Sequence, residues 1–222
     1  LESLRWLKRK PAPYFVIGTG VSLALFLGLV FGLQSHYSTS KRGSLSSTRG
    51  FYGVLSVYEE NALTDDYFLA LYHGRISHGR QYLDDKYRDL PTTYYNWEGG
   101  IGAAFTCHPS RSDTQPAPMH IGVVGLGVGT IAAYGREGDR IRFYEINPQV
   151  ETLARDPFTF LEECQAEETV VIGDARISLE NELSTEGSQQ FDLLVVDAFS
   201  GDSIPIHLLT REAFDLYFQH LA

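Results

Sequence analysis

The stretch His120–Gly135, HIGVVGLGVGTIAAYG, sets the architecture of the C-terminal half. It opens as a short apolar run, turns through Gly125, Gly127 and Gly129 at alternate positions, and closes as the start of a helix. Glycine supplies the positive φ that such a turn needs and lets a ligand come close to the backbone. The N–H groups at the helix start then favour an electron-rich ligand atom. A GxGxG string alone is a weak signal, because simple tight turns produce it too, but its place in the first strand-turn-helix unit strengthens it.

The same rhythm continues toward the C-terminus. RIRFYEIN (140–147) reads as a second strand ending in an acid, PQVETLARD (148–156) as a helix and ETVVIGDA (168–175) as a third strand. RISLENEL (176–183) is a helix, FDLLVVDAF (191–199) a fourth strand and TREAFDLYFQHL (210–221) a last helix. Strands alternating with helices at this spacing predict a parallel, doubly wound sheet over 120–222.

Three acids fall at three successive strand ends: Glu145, Asp174 and Asp197. Each alone could be a solvated surface carboxylate. Together they line the edge where open α/β sheets bind ligands. Glu145, about twenty residues beyond the glycines, is placed to accept both hydroxyl hydrogens of a ribose. Asp174 in VIGDAR is placed to reach an adenine amino group. The glycine spacing is GxGxG, not the GxGxxG of a pyrophosphate site, and suits an adenosine bearing a sulfonium. That points to S-adenosylmethionine or its decarboxylated form.

N-terminal to this half the pattern changes. FYGVLSVYEE (51–60), YFLALYHG (67–74) and RISHGRQYLD (75–84) are short, β-branched and aromatic runs between turn signals, which predict a small antiparallel β-domain over 51–98. Residues 99–119 connect it to the parallel sheet. Residues 35–50, SHYSTSKRGSLSSTRG, are polar and serine-rich and read as a linker. Residues 14–33 carry no charge and are long enough to cross a bilayer core of about 30 Å. A transmembrane helix over 13–34 is therefore expected, with a signal-peptide core as the alternative. The basic flank 1–12 contains RWLKRK, and under the positive-inside rule it leans toward a cytoplasmic N-terminus with the globular part outside. The usual compartment of an S-adenosyl co-substrate argues for the cytoplasm instead.

The chain of 222 residues is 43% hydrophobic and carries a net charge of −10, enough for a sizeable core and unsuited to nucleic acid, which requires a basic face. Cationic small molecules remain admissible. Cys107 and Cys164 lack metal-site spacing, so no metal is expected.

These motifs resemble those of the spermidine synthase-like aminopropyltransferases, in particular a membrane-fused group. The resemblance runs from 51 to 222 through FYGVLSVYE, YHGRISHGRQYL, PTTYYN, GVVGLGVGTIAAYG, YEINP, GDARISLE and DAFSGDSIPIHLLTREAF. It implies a small β-domain beside a Rossmann-like class I S-adenosylmethionine-type domain, with further C-terminal strands beyond the last helix. It further implies that Gln81 contacts the nucleoside, that Gly125, Gly127 and Gly129 line its side arm, that Glu145 takes the ribose and that Asp174 with Ala175 frames the adenine. Asp197 is implied as the base for the attacking amine, assisted by Tyr94 or Tyr95, with Asp202 and Glu98 on the amine side.

The sequence departs from the pattern at three places: Val128 stands where polyamine synthases usually carry an aspartate, TTYYNWE displaces Glu98, and AFSG lengthens the spacer between Asp197 and Asp202. Losing two charge-assisted contacts of about 1.5–3 kcal/mol each would weaken a polyamine more than a hundredfold. The readings left open are a membrane-anchored transferase with an amine acceptor, a lapsed accessory subunit of a membrane protein complex, and a methyltransferase.

Overall fold

The computed structural model describes residues 13–40, 43–64, 66–112, 114–199 and 204–222. The chain divides into two units, Leu1–Gly43 and Ser44–Ala222. The first holds α1 (Pro13–Ser40), in which Ile17–Ser35 is long and apolar enough to cross a membrane. This helix runs six residues past the predicted end at 34, through 35–40.

In the second unit, β1 (Ser44–Gly50), β2 (Gly53–Glu60), β3 (Phe68–His73) and β4 (Ile76–Tyr82) form an antiparallel sheet in that order. Strand β1 corrects the linker reading of 44–50. It pairs with β2 from Ser46↔Val57 to Gly50↔Gly53, and its half-buried positions are Ser44, Ser46, Thr48 and Gly50. Its inner face is thus built from small and hydroxylated side chains, so the strand carries no apolar alternation. Of these inward hydroxyls Thr48 Oγ1 accepts from Gln149 Nε2 at 3.1 Å, while the exposed Ser47 Oγ accepts from Ser56 Oγ of β2 at 3.1 Å.

Helix α2 (Gly100–Thr106) leads to the parallel half, made of β5 (His120–Val124), β6 (Arg140–Glu145), α3 (Pro148–Arg155), β7 (Glu167–Ile172), α4 (Ala175–Thr185), β8 (Leu193–Val196) and α5 (Arg211–His220). The strand order is β7-β6-β5-β8, all parallel. Strand β5 therefore lies between β6 and β8, and the crevice between the carboxyl ends of β5 and β8 is the switch point at which such sheets bind ligands. Alternate residues of β5 feed two cores: Ile121 and Val123 pack with Phe143 and Phe158 on one face, Val124 with Tyr144, Leu179 and Leu216 on the other. The first core also contains Leu55, Val57, Leu69 and Leu71, so the antiparallel sheet shares it.

The helix expected after the glycines is a 3₁₀ turn, Thr130–Tyr134. It ends at Gly135, where an added Cβ would meet Ala166 at 2.8 Å and Ile141 at 3.0 Å. The chain must turn there to enter β6, leaving too few residues for an α-helix.

Candidate functional site

A cavity of about 640 Å³ opens at the carboxyl edge of the parallel sheet, bounded on its other side by the antiparallel sheet. Such a volume accommodates a nucleoside with a side arm. Gly125 and Gly127 line it, and both hold positive φ, +101° and +57°. Their missing side chains admit other parts of the protein: a Cβ at Gly125 would stand 2.5 Å from the Asp197 carbonyl oxygen, and one at Gly127 would stand 2.7 Å from that of His78. Gly129, predicted with them, turns at φ +82° toward Leu161 and lies outside the cavity lining.

Glu145 ends β6 on the cavity floor, 8% exposed. Its Oε2 accepts from the Leu126 N–H at 3.1 Å and its Oε1 from the Asn147 N–H at 2.8 Å. The carboxylate thereby ties the glycine loop to the loop after β6 and keeps a lone pair on each oxygen for hydroxyl donors. Burial raises its pKa above the ordinary glutamate value against the opposing pull of the backbone amides. Asp174 caps α4 by accepting from the Ile177 N–H at 3.1 Å. Its other oxygen lies 2.9 Å from Nε2 of His207. Asp174 and Ala175 both face the cavity.

Asp197 follows β8 and is pinned by its own N–H, which donates to the Val124 carbonyl at 2.8 Å. The Tyr95 hydroxyl donates to its Oδ2. The Tyr94 hydroxyl lies 3.2 Å from the same oxygen and 2.8 Å from the Tyr95 hydroxyl, so its one proton serves whichever acceptor is the more basic. Burial raises the Asp197 carboxyl above the ordinary aspartate value, and the two tyrosine hydrogen bonds oppose that rise. Burial also pushes Tyr94 up to about 12 and Tyr95 further still, so both remain protonated donors at neutral pH. The tyrosines are presented by a 3₁₀ turn, Thr93–Tyr95, whose Thr93 sits at φ +58°. A β-branched residue at positive φ is a strained position of the kind concentrated at functional sites. The turn is fixed from behind, because the Tyr134 hydroxyl donates to the Tyr95 carbonyl.

The structure therefore gathers Tyr94, Tyr95, Gly125, Gly127, Glu145, Asp174, Ala175 and Asp197 around one cavity. Gln81 is placed elsewhere. It is 1% exposed and absent from the cavity lining; its Oε1 accepts from the Thr159 N–H at 2.9 Å, and its Nε2 donates to Thr159 Oγ1 at 2.8 Å and to the Arg88 carbonyl at 3.3 Å. Its amide clamps β4 to the segment after α3, and both of its donor hydrogens are taken. Glu98 is exposed and also outside the lining. Asp202 lies outside the described residues. Sequence reasoning missed His73, His78 and His207, which line the cavity but show no motif of their own.

No protein-family model matches the chain. It is 34% identical over 101 residues to the polyamine aminopropyltransferase of Vibrio vulnificus (strain CMCP6), a match covering 44% of this chain and 32% of that protein. Among solved structures it resembles a probable spermidine synthase from Corynebacterium glutamicum ATCC 13032, with TM-score 0.57 and 18% identity over 80% of this chain and 60% of that one. It also resembles spermidine synthase from Thermotoga maritima, with TM-score 0.54 and 14% identity over 81% of this chain and 54% of that one. The chain thus spans about a third of the curated relative and little more than half of the solved ones. At these identities the structural likeness establishes the fold, a Rossmann-like sheet beside an antiparallel sheet, and the sequence match supports kinship with spermidine synthase-like proteins.

Proposed function

We propose that this chain carries the nucleoside-binding and base-bearing part of a spermidine synthase-like transferase. It would take S-adenosylmethionine or its decarboxylated form as co-substrate and a small amine as acceptor. The observation that carries this reading is Asp197, held by Tyr94 and Tyr95 in the same cavity as Gly125, Gly127 and Glu145. Among the described residues the lining contains three carboxylates and neither lysine nor arginine, a donor set suited to a sulfonium and an amine and unsuited to a diphosphate.

In this reading Glu145 accepts the ribose hydroxyls and Asp174 the adenine amino group. The amine nitrogen attacks the carbon bonded to the sulfonium in line, the carbon–sulfur bond breaks, and its electron pair stays on sulfur as a neutral thioether. Asp197 receives the proton that the amine loses. Burial raises its pKa from the ordinary aspartate value, the direction that makes a carboxylate a stronger general base. Tyr94 and Tyr95 fix the carboxylate's direction.

Helix α1 supports membrane attachment: Ile17–Ser35 has 19 residues, about 28 Å of helix. We place the active domain in the cytoplasm, where the co-substrate resides. Titration calorimetry of the full chain in mild detergent with both S-adenosyl forms tests the reading. Micromolar binding supports it, and no heat with either form refutes it.

A further inference from the structure

We propose that Tyr134 is a positioning residue for the base: by holding the Tyr95 carbonyl from behind, it keeps the Tyr95 hydroxyl on the Asp197 carboxylate. This rests on the transferase reading above and adds to it a residue that lies outside the cavity lining.

The turn that presents the two tyrosines is weakly held from within. Thr93 sits at φ +58°, a cost for a β-branched residue, and its buried hydroxyl has no hydrogen-bond partner. The Asn96 side-chain amide donates to the Thr93 carbonyl at 2.9 Å. The backbone bonds are longer, from the Tyr95 N–H to the Thr92 carbonyl at 3.2 Å and from the Asn96 N–H to the Thr93 carbonyl at 3.4 Å. A strained segment of this kind persists only where its surroundings impose it. Two hydroxyls do so here. At the entry, Thr92 Oγ1 donates to the Arg80 carbonyl at 2.5 Å; at the exit, the Tyr134 hydroxyl donates to the Tyr95 carbonyl.

The packing around Tyr134 aims that hydroxyl. Tyr134 ends the 3₁₀ turn that follows the glycine loop and is 4% exposed. Its ring lies parallel to that of Phe105 in α2, with centroids 4.5 Å apart, and meets the Trp97 ring edge-on at 4.5 Å. Both partners belong to the segment that leaves the tyrosine turn. Helix α2 closes on that segment at Gly102, where an added Cβ would stand 2.4 Å from the Asn96 carbonyl oxygen. Burial pushes the Tyr134 pKa up to about 12, so the hydroxyl keeps the proton it donates. Fixing the Tyr95 carbonyl fixes the peptide that follows it, and with it the direction of the side chain whose hydroxyl reaches Asp197 Oδ2. Burial raises the Asp197 carboxyl, and of the groups described Tyr95 and then Tyr94 oppose that rise. Releasing Tyr95 therefore moves the carboxyl further up.

The test is Tyr134→Phe in the full chain in detergent, which keeps the stacked ring and removes only the hydroxyl. Titrating the Asp197 carboxyl carbon by NMR in aspartate-labelled protein, with the signal assigned by its loss in D197N, reads the contact without requiring turnover. The carboxyl should titrate higher by about half a pH unit or more, in the same direction as in Tyr95→Phe. In the turnover assay kcat should fall about threefold to tenfold with the acid limb moving up, while KM for the co-substrate stays within about twofold. Adding Tyr134→Phe to Tyr95→Phe should have little further effect on either reading, because the hydroxyl it positions is already gone. An Asp197 titration unmoved in Tyr134→Phe, with only a lower melting temperature, overturns the positioning role and leaves the transferase reading standing. So does a Tyr134→Phe effect that persists undiminished in the Tyr95→Phe background. A shifted titration in a chain that forms no product upholds the positioning role and refutes the transferase reading.

Discussion

Replacing Asp197 by asparagine separates the chemistry from the architecture. Asparagine has the same shape, and its carbonyl oxygen still accepts the hydroxyl protons of Tyr94 and Tyr95, so the turn that presents them is retained. The proton acceptor is lost. General-base removal costs about 10²- to 10⁴-fold in turnover, and nucleoside affinity should change by less than about threefold, because Glu145 and Asp174 carry that contact. Stability moves the other way. The folded chain holds the Asp197 proton more tightly than the unfolded chain does, since burial raises its pKa. The stability contributed by this group is full below the unfolded value and is lost as pH rises through the folded one. An asparagine at this position has no proton to lose, so D197N should melt above the parent at pH 7, with the gap closing toward about pH 4. Differential scanning calorimetry across pH, paired with product detection by mass spectrometry, measures both effects. A D197N protein that turns over at the parent rate, or that melts lower at neutral pH, would refute the assignment of Asp197 as a buried base.

Tyr95→Phe removes a hydrogen bond that lowers the Asp197 pKa, so the acid limb of the rate profile should shift to higher pH and turnover should fall about tenfold; an unmoved limb would detach Tyr95 from the base. Glu145→Gln should weaken nucleoside binding about tenfold to a hundredfold in a calorimetric titration, through loss of charge-assisted hydrogen bonds. Gln81→Ala should lower stability by about 1–3 kcal/mol in denaturant unfolding and leave nucleoside affinity unchanged, because Gln81 bonds Thr159 and Arg88 away from the cavity. A large affinity loss in Gln81→Ala would return that residue to the site.

The parallel half was legible because its signals are local. Strands such as the buried GVV and the half-buried LLVV are continuous apolar runs, and the acids that matter sit immediately beyond the strands. Strand β1 was not legible, since its inward positions are serine, threonine and glycine and its pairing with β2 is a tertiary fact. The same holds for Gln81, whose partner Thr159 lies 78 residues away. Tyr94 and Tyr95 could be pointed to only through the family resemblance, and His78 and His207 reach the cavity by folding alone. The glycines were read as room for a ligand. Gly125 and Gly127 also make room for the backbone of Asp197 and His78, which brings the base and the antiparallel sheet against the loop.

The proposed chemistry requires one cavity to hold an S-adenosyl co-substrate with its reactive carbon within reach of an amine activated by Asp197. The decisive experiment incubates the full chain in detergent with S-adenosylmethionine or its decarboxylated form and a panel of small amines, and follows the nucleoside thioether product by mass spectrometry. Product should form in a manner that depends on the amine, and its formation should collapse in D197N. Absence of any thioether product beyond the uncatalysed background, with every amine and both co-substrates, would contradict the proposal.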